Sequence, residues 1–226
     1  MVDLIYIFED KAGEESFQIK AELHKYLIKV RRHSVGDVLA FRNKEDITTL
    51  HMYKLVEVEP KIARLELLSS EVSHVRSDKE LHVAWCLVDS KSIEKVLPSL
   101  CEIGVSKISF ISCERSQKNF KLDLKRLERI VEASMQQSGR TSLMEFNTYK
   151  SVAAFISEFP DTKVFDFSEK ILSGDSDFQR VLIGCEGGFS KDEKELLKSQ
   201  EVFRLDSPMV LRSESAVMAV ASKILL

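Results

Sequence analysis

Several features that announce a function are missing from this chain. Its four cysteines, Cys86, Cys101, Cys113 and Cys185, include no Cys-x-x-Cys pair, which excludes the common zinc and disulfide frameworks. Cys86 and Cys101 fall in apolar runs and read as small buried hydrophobes, as in a reducing compartment. No apolar run reaches the length of a membrane span, and Met1-Val2-Asp3 lacks the basic-then-apolar form of a secretory signal. A cytoplasmic protein is expected. The five histidines show no metal-ligand spacing, so no metal is expected. Strong charge of one sign is also absent. The formal net charge of −3 points to neither nucleic acid nor membrane, although a local patch can still bind RNA. There is no internal repeat and no low-complexity tract. What remains, 226 residues with 44% apolar and 31% charged, suits one large soluble domain or two modest ones.

The first seventy or so residues read as a small β-rich unit. Leu4–Phe8, Val38–Phe41, Thr48–Val58 and Ile62–Leu68 are strand candidates, with turns at Gly36-Asp37 and Asn43–Asp46 and one helical stretch over Ala21–Arg32. Short strands with tight turns suggest a small barrel. The polar segment Ser69–Glu80 reads as a linker, which puts the domains at 1–72 and 73–226. From Leu81 the pattern changes. Leu81–Val88 is almost continuously apolar, as in a strand buried on both faces. Ile93, Val96, Leu97, Leu100 and Cys101 then form a helical stripe, in which Pro98 should kink the helix or shift its start. Strands over Lys107–Ser112, Leu143–Tyr149, Lys163–Phe167 and Val202–Asp206 alternate with helices over Leu122–Gln137 and Val152–Phe159. That alternation predicts a parallel α/β sheet covered on both faces. The last helix, Ser215–Leu226, is apolar nearly all round and is expected to be buried against a second subunit.

Two runs stand out. In Val181–Ser190 an apolar strand enters a loop with Gly184, Gly187, Gly188 and one carboxylate, Glu186, and Ser190 with Glu193 reads as a capping box. Such a loop lets a ligand approach the main chain closely. It is neither G-x-G-x-x-G nor a P-loop, so dinucleotide and triphosphate binding are not indicated; glycines in a tight strand-to-helix connection would look the same. About twenty residues on, Leu211–Ala216 opens another helix with Arg212 and Glu214. Both could be ordinary helix-start chemistry, but the apolar Pro208–Leu211 run brings Arg212 out of a buried edge. Together the two loops suggest one composite site. Arg115, just past a buried strand, is a further candidate, because α/β sheets place ligands there. Its alternative is a surface ion pair with Glu114. Gln137 and Arg140 flank the helix-ending Gly139. Lys25, Lys29, Arg31 and Arg32 form a basic cluster on the β-rich unit, either a solvated face or an RNA contact.

These runs together resemble the bacterial 16S rRNA uridine-N3 methyltransferases of the SPOUT superfamily. That family's glycine loop is approximately I-G-P-E-G-G-[FL]-[ST]-x-x-E, matched here by Ile183–Ser190 with Glu193, and its L-R-x-E-T-A run by Leu211–Ala216. Glu102–Val105, Glu114–Ser116 and Gln137–Arg140 match further, and His24, Val30-Arg31 and Gly36-Asp37 match more loosely. The resemblance implies a PUA-like β-barrel followed by a mainly parallel SPOUT α/β domain with a deep trefoil knot. It implies a homodimer using S-adenosylmethionine to methylate N3 of a 16S rRNA uridine in the decoding region of the small ribosomal subunit. The cofactor would lie against Ile183, Gly184, Cys185, Glu186, Gly187, Gly188, Leu205, Asp206, Ser207, Pro208, Val210, Leu211 and Ser215. Arg212 or Arg115 would stabilise charge on the base, and Glu214 or Glu186 would accept the proton. RNA would meet Lys25, Lys29, Arg31, Arg32, Gln137 and Arg140. The chain departs from the pattern at Cys185 for proline, Ser207 for glycine, Ser215 for threonine and Ser99 for lysine. A non-catalytic assembly factor, or a SPOUT enzyme for another RNA site, would share most of these residues.

Overall fold

The protein is described here, in a computed structural model, over residues 6–117, 122–174 and 178–226; Leu4 and Ile5 of the first expected strand lie outside them. It divides into two compact units. The first runs to Val75 and takes in Gln136–Ser142, and the second comprises Arg76–Met135 and Leu143–Leu226. A division after residue 72 had no place for the distant segment, which hydrogen bonds attach to the first unit. The Tyr6 and Phe8 amides donate to the main-chain and side-chain oxygens of Gln136 at 3.2 and 3.0 Å. The Tyr6 hydroxyl donates to the Arg140 carbonyl at 2.8 Å, and the Thr141 amide to the Val75 carbonyl at 2.8 Å.

The first unit holds strands β1 (Ile7–Phe8), β2 (Ser16–Lys20), β3 (Val38–Arg42), β4 (Thr49–Val58) and β5 (Ile62–Val72) in one sheet of order β1-β3-β4-β5-β2. β2 is absent from the sequence reading because only Phe17 and Ile19 mark it, buried between exposed neighbours at the strand period of two. β5 runs four residues beyond Leu68, into the expected linker, because Ser69–Val72 are exposed yet still pair with β4. The helical stretch is a single turn, α1 (Ala21–His24), running into a π-helical segment over Lys25–Val30. Phe17, Phe41 and Tyr53 pack edge to face at the core, with centroids 4.7 to 5.6 Å apart.

The second unit is a six-stranded parallel sheet of order β11-β9-β10-β6-β7-β8. Its strands are β6 (His82–Cys86), β7 (Lys107–Ile111), β8 (Glu145–Tyr149), β9 (Lys163–Phe165), β10 (Arg180–Ile183) and β11 (Val202–Phe203). Every residue of β6 is buried, which is why it reads as an almost continuously apolar run. Helices α2 (Ser90–Ile103), α3 (Leu124–Ser138, its last three residues counted with the first unit), α4 (Val152–Glu158), α5 (Lys191–Leu196) and α6 (Ser213–Leu225) connect and cover the strands. α2 starts at Ser90, capped by Asp89, and continues through Pro98, so the proline does not shift its start. α6 begins two residues earlier than expected and buries Ala216, Val217, Val220, Ala221 and Ile224 within its own unit. Among the described residues no helix is long and apolar enough to cross a membrane.

His82 opens β6 in a closed setting. Its Nε2 pairs with Ser109 Oγ at 2.8 Å, and its ring meets Phe155 and Phe159 edge to face. Burial, with Arg180 and Lys107 nearby, holds its pKa down to about 4 from 6.5. The folded protein thus keeps this ring neutral where the unfolded chain would protonate it. The stabilisation is complete above pH 6.5 and is lost as pH falls from 6.5 towards 4. Melting at pH 7 and pH 4.5 is expected to show a loss on the order of 2 kcal/mol from this residue, and a smaller loss in His82→Gln.

Candidate functional site

The parallel register fixes where a site can form. Phe203, Phe165, Ile183, Trp85 and Phe110 stand abreast on β11, β9, β10, β6 and β7. The segments that follow them therefore emerge side by side, and the order reverses direction between β10 and β6, the position at which α/β sheets take ligands. A cavity of about 510 Å³ opens there, within the range of small-ligand sites. The loop Gly184–Gly188 forms one wall. Leu205, Ser207, Val210, Leu211 and Arg212 form another, and Arg115 reaches in from beyond β7. The two runs singled out by sequence therefore meet at one site.

A buried relay holds the glycine loop. The Trp85 indole N–H donates to Ser213 Oγ at 2.8 Å, and the Ser213 hydroxyl donates to the Gly184 carbonyl at 2.6 Å. This ties the loop both to the central strand and to the first turn of α6. Beyond the loop the capping box is complete, with the Glu193 amide donating to Ser190 Oγ and the Ser190 amide to Glu193 Oε2. The other Glu193 oxygen accepts the Glu114 amide at 2.9 Å. One buried carboxylate thus also braces the segment that carries Arg115. Arg115 Nη1 in turn donates to the Gly187 carbonyl at 2.6 Å, with its stem packed over Gly187. Gly188 has φ +63°, a left-handed conformation costly for residues with a side chain.

The charged groups differ in how firmly they are held. Arg115 is engaged by the loop, whereas the guanidinium of Arg212, exposed at the cap of α6, makes no hydrogen bond or ion pair with the described residues; only its carbonyl is used, accepting the Ala216 amide at 2.8 Å. Glu186 lines the cavity; Glu214 does not, and its buried Oε2 has no hydrogen-bond partner among the described residues. Asp206, Pro208 and Ser215 also stand outside the lining. Phe165, Asp166, Phe167, Lys194, Arg204 and Ser213 line the cavity but were not singled out from sequence. Asp166 and Phe167 follow a strand end, the same signal that marked Arg115. Nothing local to Ser213 reveals its bond to Trp85.

In the first unit Lys25, Lys29, Arg31 and Arg32 are all exposed. Arg31 lies over the Tyr26 ring at 5.4 Å and donates to its hydroxyl. Gln137 is exposed, but Arg140 is buried, with Nε donating to the Ser142 carbonyl at 2.6 Å. Arg140 closes the turn after Gly139 instead of facing solvent.

A model of the RNA methyltransferase domain family matches residues 75–225. Over 221 residues the chain is 35% identical to a Helicobacter pylori ribosomal RNA small subunit methyltransferase E, covering 96% of this chain and 97% of that one. The chain belongs to the ribosomal RNA small subunit methyltransferase E family. A relative from Aquifex aeolicus is 32% identical over 145 residues, 60% of this chain and 63% of its own. Among solved structures, the Neisseria gonorrhoeae family member bound to S-adenosyl methionine superposes with a TM-score of 0.78. It covers 96% of this chain and 95% of its own at 16% identity, a likeness of fold. The site therefore lies in the part of the chain that the family model spans.

Proposed function

We propose that the protein transfers a methyl group from S-adenosylmethionine to N3 of a uridine in the decoding region of 16S rRNA within the small ribosomal subunit. The observation that carries this reading is the meeting of the Gly184–Gly188 loop and the Leu205–Arg212 segment around one cavity in a chain of this family. The lining fits the cofactor. Ile183, Phe165, Leu205 and Leu211 offer apolar walls for a heterocycle, the glycines leave main chain within reach, and Glu186 suits a cationic ligand, Asp166 being paired with Lys194 at 3.1 Å. When bound, S-adenosylmethionine supplies an electrophilic methyl group on a sulfonium. Ile183–Gly188 and Leu205–Leu211 hold and orient it, and alignment of donor and base provides much of the acceleration. Arg212, whose guanidinium is unpaired among the described residues, meets the negative charge that spreads to the uracil carbonyls as N3 loses its proton. Glu186 or Glu214 receives that proton. A paired uracil hides N3, so the target base is unpaired or turned out of its stack.

The same reading makes the first unit a PUA-like barrel that holds RNA through Lys25, Lys29, Arg31, Arg32 and Gln137. It makes Arg204–Arg212 part of a deep trefoil knot closed by α6. A second copy of the chain is supported by the cavity rim, where Phe167, Met209 and Val210 are 76%, 68% and 78% exposed. It also places the protein in the cytoplasm, where its substrate is.

The deciding assay incubates the protein with labelled S-adenosylmethionine and small subunits from cells lacking the gene, then maps the product by reverse transcription. N3-methyluridine blocks pairing, so one new stop near the 3′ end of 16S rRNA is expected. A label placed elsewhere in the RNA would overturn the uridine assignment, and none at all would overturn the enzyme. A narrower expectation concerns Gly187→Ala. Its Cβ would stand 3.2 Å from Arg115 Cβ and 3.3 Å from Arg115 Cδ, pushing that side chain off the loop carbonyl. Calorimetry should show cofactor affinity reduced roughly tenfold, or about 1.4 kcal/mol, with the melting temperature nearly unchanged.

A further inference from the structure

Three of the four cysteines, distant in sequence, meet at the strand ends of the second unit. Cys86 ends β6, Cys113 follows β7, and Cys185 lies in the loop after β10. Cys113 Sγ is 3.5 Å from Cys185 Sγ and 3.0 Å from Ser116 Oγ, and it also meets the Cys86 thiol. The trio is not placed as a metal site: among the described residues no set of three His, Cys, Asp or Glu side chains is positioned to hold an ion. Although both are buried, Cys185 lines the cavity described above and Cys113 lines a second one of about 660 Å³. A small oxidant in that second cavity therefore reaches Cys113.

The two sulfurs are not equivalent. The Cys185 and Cys86 thiols, the Ser116 hydroxyl and the Arg115 amide all lie against the Cys113 sulfur, and together they draw its pKa down despite burial, favouring the thiolate. Contact with that sulfur, and burial, push the Cys185 thiol up and keep it protonated. A thiolate touching a proton-bearing thiol is the pairing found in redox-sensing cysteines.

We propose that Cys113 and Cys185 are a reversible disulfide site that responds to hydrogen peroxide and governs the Gly184–Gly188 loop. The Cys113 thiolate attacks one peroxide oxygen, so an S–O bond forms as the O–O bond breaks and hydroxide leaves, giving a sulfenic acid. The Cys185 sulfur then attacks the Cys113 sulfur. The S–S bond forms as the S–O bond breaks, and the Cys185 proton departs with the hydroxide as water. Two thiols lose two electrons and two protons, and peroxide is reduced to two waters; an added dithiol reverses the change. Bonding requires the sulfurs to close from 3.5 Å to about 2.05 Å. Cys113 is pinned, its amide donating to Ser116 Oγ and its carbonyl accepting the Ser116 amide, both at 3.1 Å. The displacement falls on Cys185, whose neighbour Gly184 is held through Ser213 to Trp85. That this loop binds S-adenosylmethionine rests on the function proposed above; the disulfide itself does not.

The test titrates the reduced, full-length protein with hydrogen peroxide, alkylates the remaining thiols and maps unreduced peptides by mass spectrometry. The expected product is the Cys113 peptide joined to the Cys185 peptide, two hydrogens lighter than their sum and released by dithiothreitol. Emission from Trp85, the only tryptophan in the chain, should shift on oxidation and return on reduction, and Cys113→Ser should abolish both signals. In Cys185→Ala, a second variant should Cys113→Ser fold poorly, Cys113 should accumulate as a sulfenic acid trapped by dimedone. A Cys86–Cys113 link, Cys113 found only as sulfinate or sulfonate, or unchanged thiols would each overturn the proposal. Titration with S-adenosylmethionine should show at least about tenfold weaker binding after oxidation. Equal affinity would remove the regulatory role. If the reduced protein binds none, the functional reading fails, while the peptide map and Trp85 emission still decide the disulfide.

Discussion

Replacing Arg212 with alanine is expected to lower turnover by about 10²- to 10³-fold, while S-adenosylmethionine affinity stays within a few-fold. The reason lies in what holds each arginine at the cavity. Arg115 is tied to the Gly187 carbonyl at 2.6 Å and packed on the loop, so its removal disturbs loop shape and cofactor affinity together. The Arg212 guanidinium makes no hydrogen bond or ion pair with the described residues, and Arg212 lines the cavity at the cap of α6. Its truncation removes a positive charge without removing a support. A charge that acts only as the uracil becomes anionic contributes to the transition state and little to ground-state binding, which lowers kcat and kcat/KM together. Single-turnover rates alongside calorimetric titration separate the two quantities. Equal losses of rate and cofactor affinity would reassign Arg212 to cofactor binding.

Trp85→Ala is expected to cost about 3–5 kcal/mol, or roughly 10 °C in melting temperature for a chain of this size. Trp85 is fully buried on the central strand β6 and packs near Phe110, ring centroids 6.3 Å apart. Its truncation both opens a cavity and strips the donor from Ser213, whose hydroxyl holds Gly184. Trp85→Phe keeps most of the volume and loses only the N–H, so about 1–2 kcal/mol is expected. Both variants should weaken cofactor binding, because the loop loses its anchor on the strand. A Trp85→Phe protein with unchanged affinity would show that α6 positions the loop without help from β6. Thermal melts and cofactor titrations of the pair distinguish these outcomes.

The second unit was more legible than the first for a physical reason. Parallel strands buried on both faces, such as Val83–Cys86 and Val181–Ile183, are unbroken apolar runs, and the helices between them carry stripes at the helical period. In the first unit β2 shows only Phe17 and Ile19, and the end of β5 is wholly exposed; pairing with a neighbour, invisible in local sequence, makes both strands. At the site, glycines, capping box and the Arg212 run were legible because each answers a local backbone or solvation need. The Trp85–Ser213 bond spans 128 residues and the Cys113–Cys185 contact spans 72. Such long-range pairings follow from strand order, not from spacing along the chain. Arg140 shows the converse: a basic residue at a helix end reads as available for RNA, yet it is buried and its Nε donates to the Ser142 carbonyl.

The composition of the first unit has a further consequence for the nascent chain. Its residues up to Val75 are complete early in synthesis, but Gln136–Ser142 must still be made. At about 5–20 residues per second, that interval lasts roughly 3 to 13 s. Until then the amides of Tyr6 and Phe8 lack their Gln136 acceptors, and Val75 lacks Thr141. The short edge strand Ile7–Phe8 thus emerges from the ribosome well before its bonds to Gln136 can form. Over those seconds the Tyr6 and Phe8 amides are without these acceptors, and a pulse of translation arrest placed between residues 75 and 136 would lengthen that interval.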